Sequence, residues 1–185
     1  MEGFYTNKPL TCSQKKKLKK KQQQLQIDIE KDAVKSTDTS KSQEERALDI
    51  QLAIYGFRIY NIPGDGNCLY RSIAHQLDPK STELHRELRV KAAKFILDHR
   101  EEFSSYISDN ICEYADKIAN TNEWGGEIEI VALSRALNRN IFVHCVRYKE
   151  PICHGHTSAV GDDIHLVFYE SAYLLGGHYN SVTKL

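Results

Sequence analysis

Apolar and polar side chains alternate between residues 57 and 62, with Phe57 and Ile59 set against Arg58 and Tyr60, which predicts a strand that Pro63-Gly64 brings to an end. The period then changes. Leu69, Ile73 and Leu77 recur every four residues and predict a helix from Cys68 to Gln76, closed by Asp78-Pro79. Leu84, Leu88, Ala92, Phe95 and Ile96 mark one face of a helix over 81–99, and Asp109 can cap a further helix to Ala119. Ile130, Leu133, Ala136 and Leu137 predict a helix from Glu127 to Leu137, with Asn138 as its terminator. The last third is rich in β-branched and aromatic residues. It predicts strands at Ile141 to Val146 and Ile164 to Tyr169, a loop from Arg147 to Asp163 between them, and a strand at His178 to Val182 after Gly176-Gly177. The pattern is that of an α+β fold, helices first and then a small, mostly antiparallel sheet flanked by them.

Ahead of the first strand the pattern weakens. Ser13 to about Val34 reads as a lysine- and glutamine-rich helix whose Leu18, Leu25, Ile27 and Ile29 keep no heptad, followed by a polar linker from Ser36 to Ser42. Ser42-x-x-Glu45 offers a capping box for a helix that runs to Gly56. The expected division is a helical or flexible extension over 1–41 and a globular domain over 42–185.

The formal net charge of zero conceals a division along the chain. Residues 1–50 hold eleven Lys/Arg against eight Asp/Glu, and the remainder carries the opposite surplus of three. Seven lysines and no acid fall between Lys8 and Lys21, the only window with the charge density of a nucleic-acid or acidic-surface contact. A solvated lysine face is the plainer explanation of the same run. Nucleic-acid binding as the main function is disfavoured, because the globular part is not basic and the tail lacks interleaved aromatics. There is no run of eighteen apolar residues and no signal-like N-terminus, so a soluble, cytoplasmic protein without a membrane partner is expected. Five cysteines in irregular spacing point to reduced thiols rather than a disulfide framework.

The candidate chemistry sits in Gly64-Asp65-Gly66-Asn67-Cys68 and His178-Tyr179-Asn180. A cysteine at a helix start meets unpaired N–H groups and partial positive charge, which favour a thiolate near neutral pH and provide donors for an oxyanion. Taken alone the pentapeptide is ordinary turn chemistry around a core thiol. An imidazole with an amide two residues on is what a thiolate base needs, one nitrogen toward sulfur and the other held by the amide oxygen. His144, Cys145, Cys153, His154, His156 and His165 form a second group, but their spacing fits no standard zinc module, and alternation along a strand keeps them from converging. No metal and no cofactor is expected.

Three segments, Gly64-Asp65-Gly66-Asn67-Cys68-Leu69-Tyr70-Arg71-Ser72, Trp124-Gly125-Gly126-Glu127-Ile128-Glu129-Ile130 with Ala132-Leu133-Ser134, and His178-Tyr179-Asn180-Ser181-Val182, occur in the order and form of one family. Over about residues 50–185 the chain resembles the OTU (ovarian tumour) domain deubiquitinases, and it looks most like the branch called Otu2 in yeast and OTU-domain-containing protein 6 in animals. The resemblance implies a papain-like cysteine protease fold. It also implies hydrolysis of the isopeptide bond at the ubiquitin C-terminus, with Cys68 as nucleophile, His178 as base and acid, Asn180 orienting the ring, and Asp65 either catalytic or shaping the loop. Gly64, Gly66 and Asn67 would build the oxyanion loop. Trp124, Gly125, Gly126 and Tyr179 would wall a narrow channel for ubiquitin's Leu-Arg-Gly-Gly tail, with Glu127 as a carboxylate for its arginine. The plainer readings make Trp124 core and Glu127 a favoured acid in a first helical turn. The branch's link to ribosomes gives Lys15 to Lys21 a partner in rRNA or ribosomal protein. The alternative function is a weakly active or inactive module that binds ubiquitin or ribosomes.

Overall fold

The computed structural model describes residues 43–155, 159–173 and 176–185, so the expected helix over 13–34, the Ser42 cap and the lysine run lie outside the described residues. Helix α1 covers 43–54 and ends in a turn in which Gly56 adopts φ +76°. Strand β1 (Phe57–Tyr60) follows, partly buried at Phe57 and Ile59 and exposed at Arg58 and Tyr60, as the alternation predicts. The helices α2 (Cys68–Leu77), α3 (Leu84–Asp98), α4 (Arg100–Phe103), α5 (Ile111–Asn120) and α6 (Glu127–Leu137) come next. Strands β2 (Ile141–His144), β3 (Ile152–His154), β4 (Ile164–Tyr173) and β5 (Gly176–Lys184) close the chain.

Several boundaries differ from the expected ones for local reasons. The helix expected from Ser81 begins at Leu84, with the Ser81 hydroxyl accepting the Leu84 N–H at 3.1 Å. The cap of α5 is Asn110 rather than Asp109, its Oδ1 accepting the N–H groups of Cys112 (2.9 Å) and Glu113 (3.4 Å). Helix α6 has the expected limits, and Asn138 ends it in a left-handed conformation, φ 53°.

The sheet has the order β1-β5-β4-β2-β3. Three pairings are antiparallel and one, β2 with β4, is parallel. Strand β3 lies within the segment expected to be loop, Phe142 pairing with Cys153. Strand β5 occupies an interior position, with Tyr60 opposite Ser181 on one side and Tyr169 opposite His178 on the other. Tyr179 enters a core shared with Leu69 and Ile73 of α2, Leu88 of α3 and Leu133 of α6. Val182 joins Val167, Tyr169 and the α1 residues Leu48 and Leu52 in a second cluster. In α2, Leu69, Tyr70 and Ile73 are almost wholly buried. Each contributes about 2 kcal/mol of apolar transfer energy, so Cys68 rides on a firmly anchored element.

Candidate active site

Cys68 is the first residue of α2 and is 3% exposed. The α2 ladder opens with the Arg71 N–H bonded to Asn67 O at 2.8 Å, so the N–H groups of Cys68, Leu69 and Tyr70 stand ahead of it. Burial pushes the Cys68 thiol up, whereas the backbone N–H groups of Tyr179 and Leu69 and the Trp124 indole N–H pull it down, and the Asp65 carboxylate adds a smaller upward push. The expectation of easy ionisation from the helix terminus alone therefore omits the dominant influence, desolvation. A thiolate here depends on directed N–H donors and, in the expected chemistry, on an imidazole.

Strand β5 supplies that imidazole. The Ile62 N–H meets Asn180 Oδ1 at 2.7 Å, and a backbone donor of this kind identifies the amide oxygen. The same oxygen lies 3.0 Å from His178 Nε2, which is also 3.0 Å from the Ile62 carbonyl. Facing two acceptors, Nε2 must carry the proton, which leaves the lone pair on Nδ1. The Asn180 Nδ2 donates to Asn61 Oδ1 at 3.2 Å and fixes the other end of the amide. Helix α2 is tied to this strand through the Ser72 hydroxyl, which donates to Tyr179 O at 3.2 Å. The cysteine and histidine elements are thus joined directly.

Asp65 does not join this chain of bonds. Its Oδ1 accepts the Asn67 N–H at 3.0 Å, and its Oδ2 takes the Arg71 Nε at 2.9 Å and a second guanidinium nitrogen at 2.8 Å. Burial alone would raise its carboxyl; Arg71 and the Asn67 N–H outweigh that and hold it below the ordinary carboxylate value. This geometry is that of a residue shaping the loop. Of the two loop glycines only Gly66 has a positive φ, +78°, and a Cβ there would meet Asn122 O at 2.3 Å. Gly64 is exposed. The Asn67 side chain gives Nδ2 to Asn122 Oδ1 and to Asp65 O, both at 3.3 Å. With its N–H on Asp65 as well, Asn67 is engaged and is not a donor for an oxyanion, whereas the Cys68 N–H stands ahead of the α2 ladder.

On the other side of Cys68, Trp124 is 43% exposed, so it is not a core residue, and its ring stacks on Tyr179 at 5.5 Å and 26°. Gly125 admits no side chain, since a Cβ would lie 2.8 Å from Leu69 and 2.9 Å from the Tyr70 hydroxyl, and Gly126 lies under the Trp124 ring. Glu129 reaches back to the Gly126 N–H at 2.7 Å and accepts the Tyr114 hydroxyl at 2.5 Å, a buried cap that holds this wall. Burial raises the Glu129 carboxyl, with those two donors opposing. Glu127 is exposed in the first turn of α6.

The sequence pattern missed Arg89, which is 3% exposed and bonded to four oxygens, three of them on Gly66, Asn67 and Glu123 near Cys68 and Trp124 in the chain and one on Ile118 of α5. It lies on the buried side of α3, with His85 and Ala93 one turn either side also buried, but no residue pattern marks it. In the second group of metal-ligand types, His144 Nε2 and His165 Nδ1 meet at 3.1 Å, a convergence that strand alternation does not anticipate. His156 lies outside the described residues, and among the described residues no three His, Cys, Asp or Glu side chains are placed to hold a metal.

Comparison with known proteins identifies the family. Residues 63–179 match the family described as OTU-like cysteine protease. The chain is 32% identical over 77% of its length to "Ubiquitin thioesterase otu2" of Schizosaccharomyces pombe, covering 50% of that protein. It is 33% identical over 94% of its length to "Deubiquitinase OTUD6B" of Xenopus tropicalis, covering 63% of it. Among solved structures, the OTU domain of OTUD1 is 26% identical with a TM-score of 0.66, covering 80% of this chain and all but 1% of that one. An OTU domain in complex with ubiquitin is 25% identical with a TM-score of 0.58, over 69% of both chains. The chain spans about half to two thirds of the length of these relatives. Cysteine, oriented imidazole and aromatic wall are joined in a single α+β domain, and the chain belongs to the OTU family of cysteine proteases, on its Otu2 and OTUD6 branch.

Proposed function

We propose that the protein is a deubiquitinating cysteine protease that hydrolyses isopeptide bonds at the ubiquitin C-terminus. The observation that carries this reading is the Ile62 N–H bond to Asn180 Oδ1, because it orients the amide that leaves His178 Nδ1 basic. In this mechanism Nδ1 takes the Cys68 proton as sulfur attacks the terminal glycine carbonyl, and the imidazolium then protonates the departing lysine amine. Water hydrolyses the resulting thioester and regenerates the thiol. The Cys68 N–H receives the developing oxyanion, a donor typically worth about 3 kcal/mol. In this reading Trp124, Gly125, Gly126 and Tyr179 wall the channel for a glycine tail, and the exposed Glu127 offers a carboxylate to its arginine.

A ubiquitin probe ending in an electrophile is expected to attach to Cys68 and to no other cysteine, with Cys68→Ala unlabelled. An intact mass showing no adduct on folded wild-type protein would overturn the assignment. A cytoplasmic, ribosome-associated substrate pool is the second part of the proposal, supported by the lysine density of Lys15 to Lys21. Replacing those six lysines by glutamine is expected to shift the protein from the ribosomal fraction to the free fraction on a sucrose gradient. Unchanged sedimentation would sink that part alone.

A further inference from the structure

Arg89 on α3 places one planar guanidinium between three segments of the chain. Its Nε donates to Asn67 Oδ1 at 2.7 Å, one terminal nitrogen donates to Gly66 O at 2.8 Å and Glu123 O at 2.7 Å, and the other donates to Ile118 O at 3.0 Å. Its face lies 4.3 Å from the centre of the Tyr70 ring. Among the described residues no carboxylate hydrogen-bonds to it, although the residue is 3% exposed. Burying a charge in this way is costly unless every donor finds an acceptor, and here four of the five N–H groups are accounted for by four oxygens. A core residue chosen for stability alone need not be cationic.

The acceptors explain the choice. Asn67 and Gly66 immediately precede Cys68 and Leu69, whose backbone leads the α2 N-terminus. Glu123 immediately precedes Trp124. The two sides of the cleft around sulfur are therefore referenced to one rigid group. We propose that Arg89 is a positioning residue of the active site: its fork sets the spacing between the loop that delivers the Leu69 N–H and the segment that delivers the Trp124 indole, so that both converge on the Cys68 sulfur. Lysine cannot do this. It keeps the charge but offers a compact ammonium in place of the planar fork, and it cannot span acceptors on three segments.

The proposal rests on Cys68 as the nucleophile. The charged and titratable groups coupled to the sulfur, the guanidinium and the two tyrosines beside them are Asp65, Arg71, Tyr70, Tyr114, Tyr179, Glu127, Glu129, Cys145 and Arg89 itself, with His178 as the assigned base. Arg89→Lys preserves the charge of this set and alters only the geometry. The experiment is the pH dependence of Cys68 alkylation by iodoacetamide in the full chain, read from the mass of the peptide that contains Cys68, beside urea unfolding of each variant. Arg89→Lys and Arg89→Met are both expected to raise the midpoint of alkylation by about one pH unit, a tenfold loss of thiolate at a given pH. A guanidinium that merely stabilises the fold would lower the unfolding midpoint and leave the alkylation midpoint of folded protein unchanged, which overturns the proposal. A wild-type midpoint in Arg89→Lys beside a raised one in Arg89→Met would show that charge alone matters, and overturns it equally. Asn67→Asp keeps an oxygen for Arg89 Nε but removes the Nδ2 bonds to Asp65 O and Asn122 Oδ1, whereas Asn67→Ala removes both kinds and leaves the other three Arg89 bonds. A rise in Asn67→Ala beyond that in Asn67→Asp carries the test should the Arg89 variants not fold. An excess of about half a unit is expected there, and no excess refutes the proposal. Because alkylation requires no ubiquitin, a wild-type protein that cleaves no ubiquitin substrate would remove the proposed function without touching this result.

Discussion

His178→Ala is expected to lower kcat on a fluorogenic ubiquitin C-terminal amide by about 10⁴-fold with KM nearly unchanged, the upper end of what a positioned base supplies. The size follows from the burial of Cys68. A thiol whose proton is held by desolvation forms little thiolate unaided at neutral pH, so the imidazole has more to supply than it would beside an exposed cysteine. Asn180→Ala should cost less in rate, about 10- to 100-fold, because a neutral amide orients the ring without stabilising the imidazolium by charge. It should also lower stability by about 1–3 kcal/mol, since the buried Ile62 N–H loses its acceptor. A drop of less than tenfold for His178→Ala would remove the histidine from its assigned role.

The second large effect concerns stability in acid. His144 is wholly buried, its Nδ1 has no hydrogen-bond partner among the described residues, and its Nε2 faces His165. Burial, with a smaller contribution from His165, lowers its pKa from 6.5 to about 4. The unfolded chain therefore takes up this proton as pH falls through 6.5, whereas the fold refuses it until about pH 4. Stability is complete above 6.5 and drains away across that window, by about 3 kcal/mol at its lower end. His75, His85, His154 and His165 are also lowered, each with burial as the first cause, and act in the same direction. Glu129, raised by burial, acts in the opposite one. Urea unfolding at pH 7 and pH 4.5 should show His144→Leu losing less stability than wild type by about 2–3 kcal/mol. Equal losses in the two proteins would refute the assignment to His144.

The sequence is most informative where one residue type has one physical use. The run Leu69, Ile73, Leu77 and the terminator Asn138 define α2 and α6 because these signals are local, and the order of Cys68, His178 and Asn180 names candidates that the fold sets on α2 and β5. Other features depend on what lies across the fold. Asp109 and Asn110 are equally plausible caps, and only the reach of one oxygen to two N–H groups distinguishes them. Ile152-Cys153-His154 has no alternation to display and becomes a strand through its pairing with β2. Gly176-Gly177 resembles a turn, yet Gly177 lies in β5 with the Phe168 ring 2.4 Å from where a Cβ would stand. Asp65 stands in the motif as a candidate catalytic acid, and its bonds to Arg71, six residues on, are invisible in the motif itself. Arg89 is the hardest to see. An arginine on a helix ordinarily covers a surface, and its four acceptors, one amide oxygen and three backbone carbonyls, leave no trace in residue identity.

The interior position of β5 also sets when function can arise. Synthesis proceeds from the N-terminus, so Cys68, Trp124 and the strands on both sides of the slot are translated before the strand that fills it. Until residues 176–184 insert between β1 and β4, the thiol has neither its base nor the Tyr179 N–H. A nascent chain can therefore carry a complete cysteine helix and remain inert. Strand β5 can pair with β4 as a local hairpin, whereas its pairing with β1 joins residues at opposite ends of the domain, the kind of non-local contact that forms slowly.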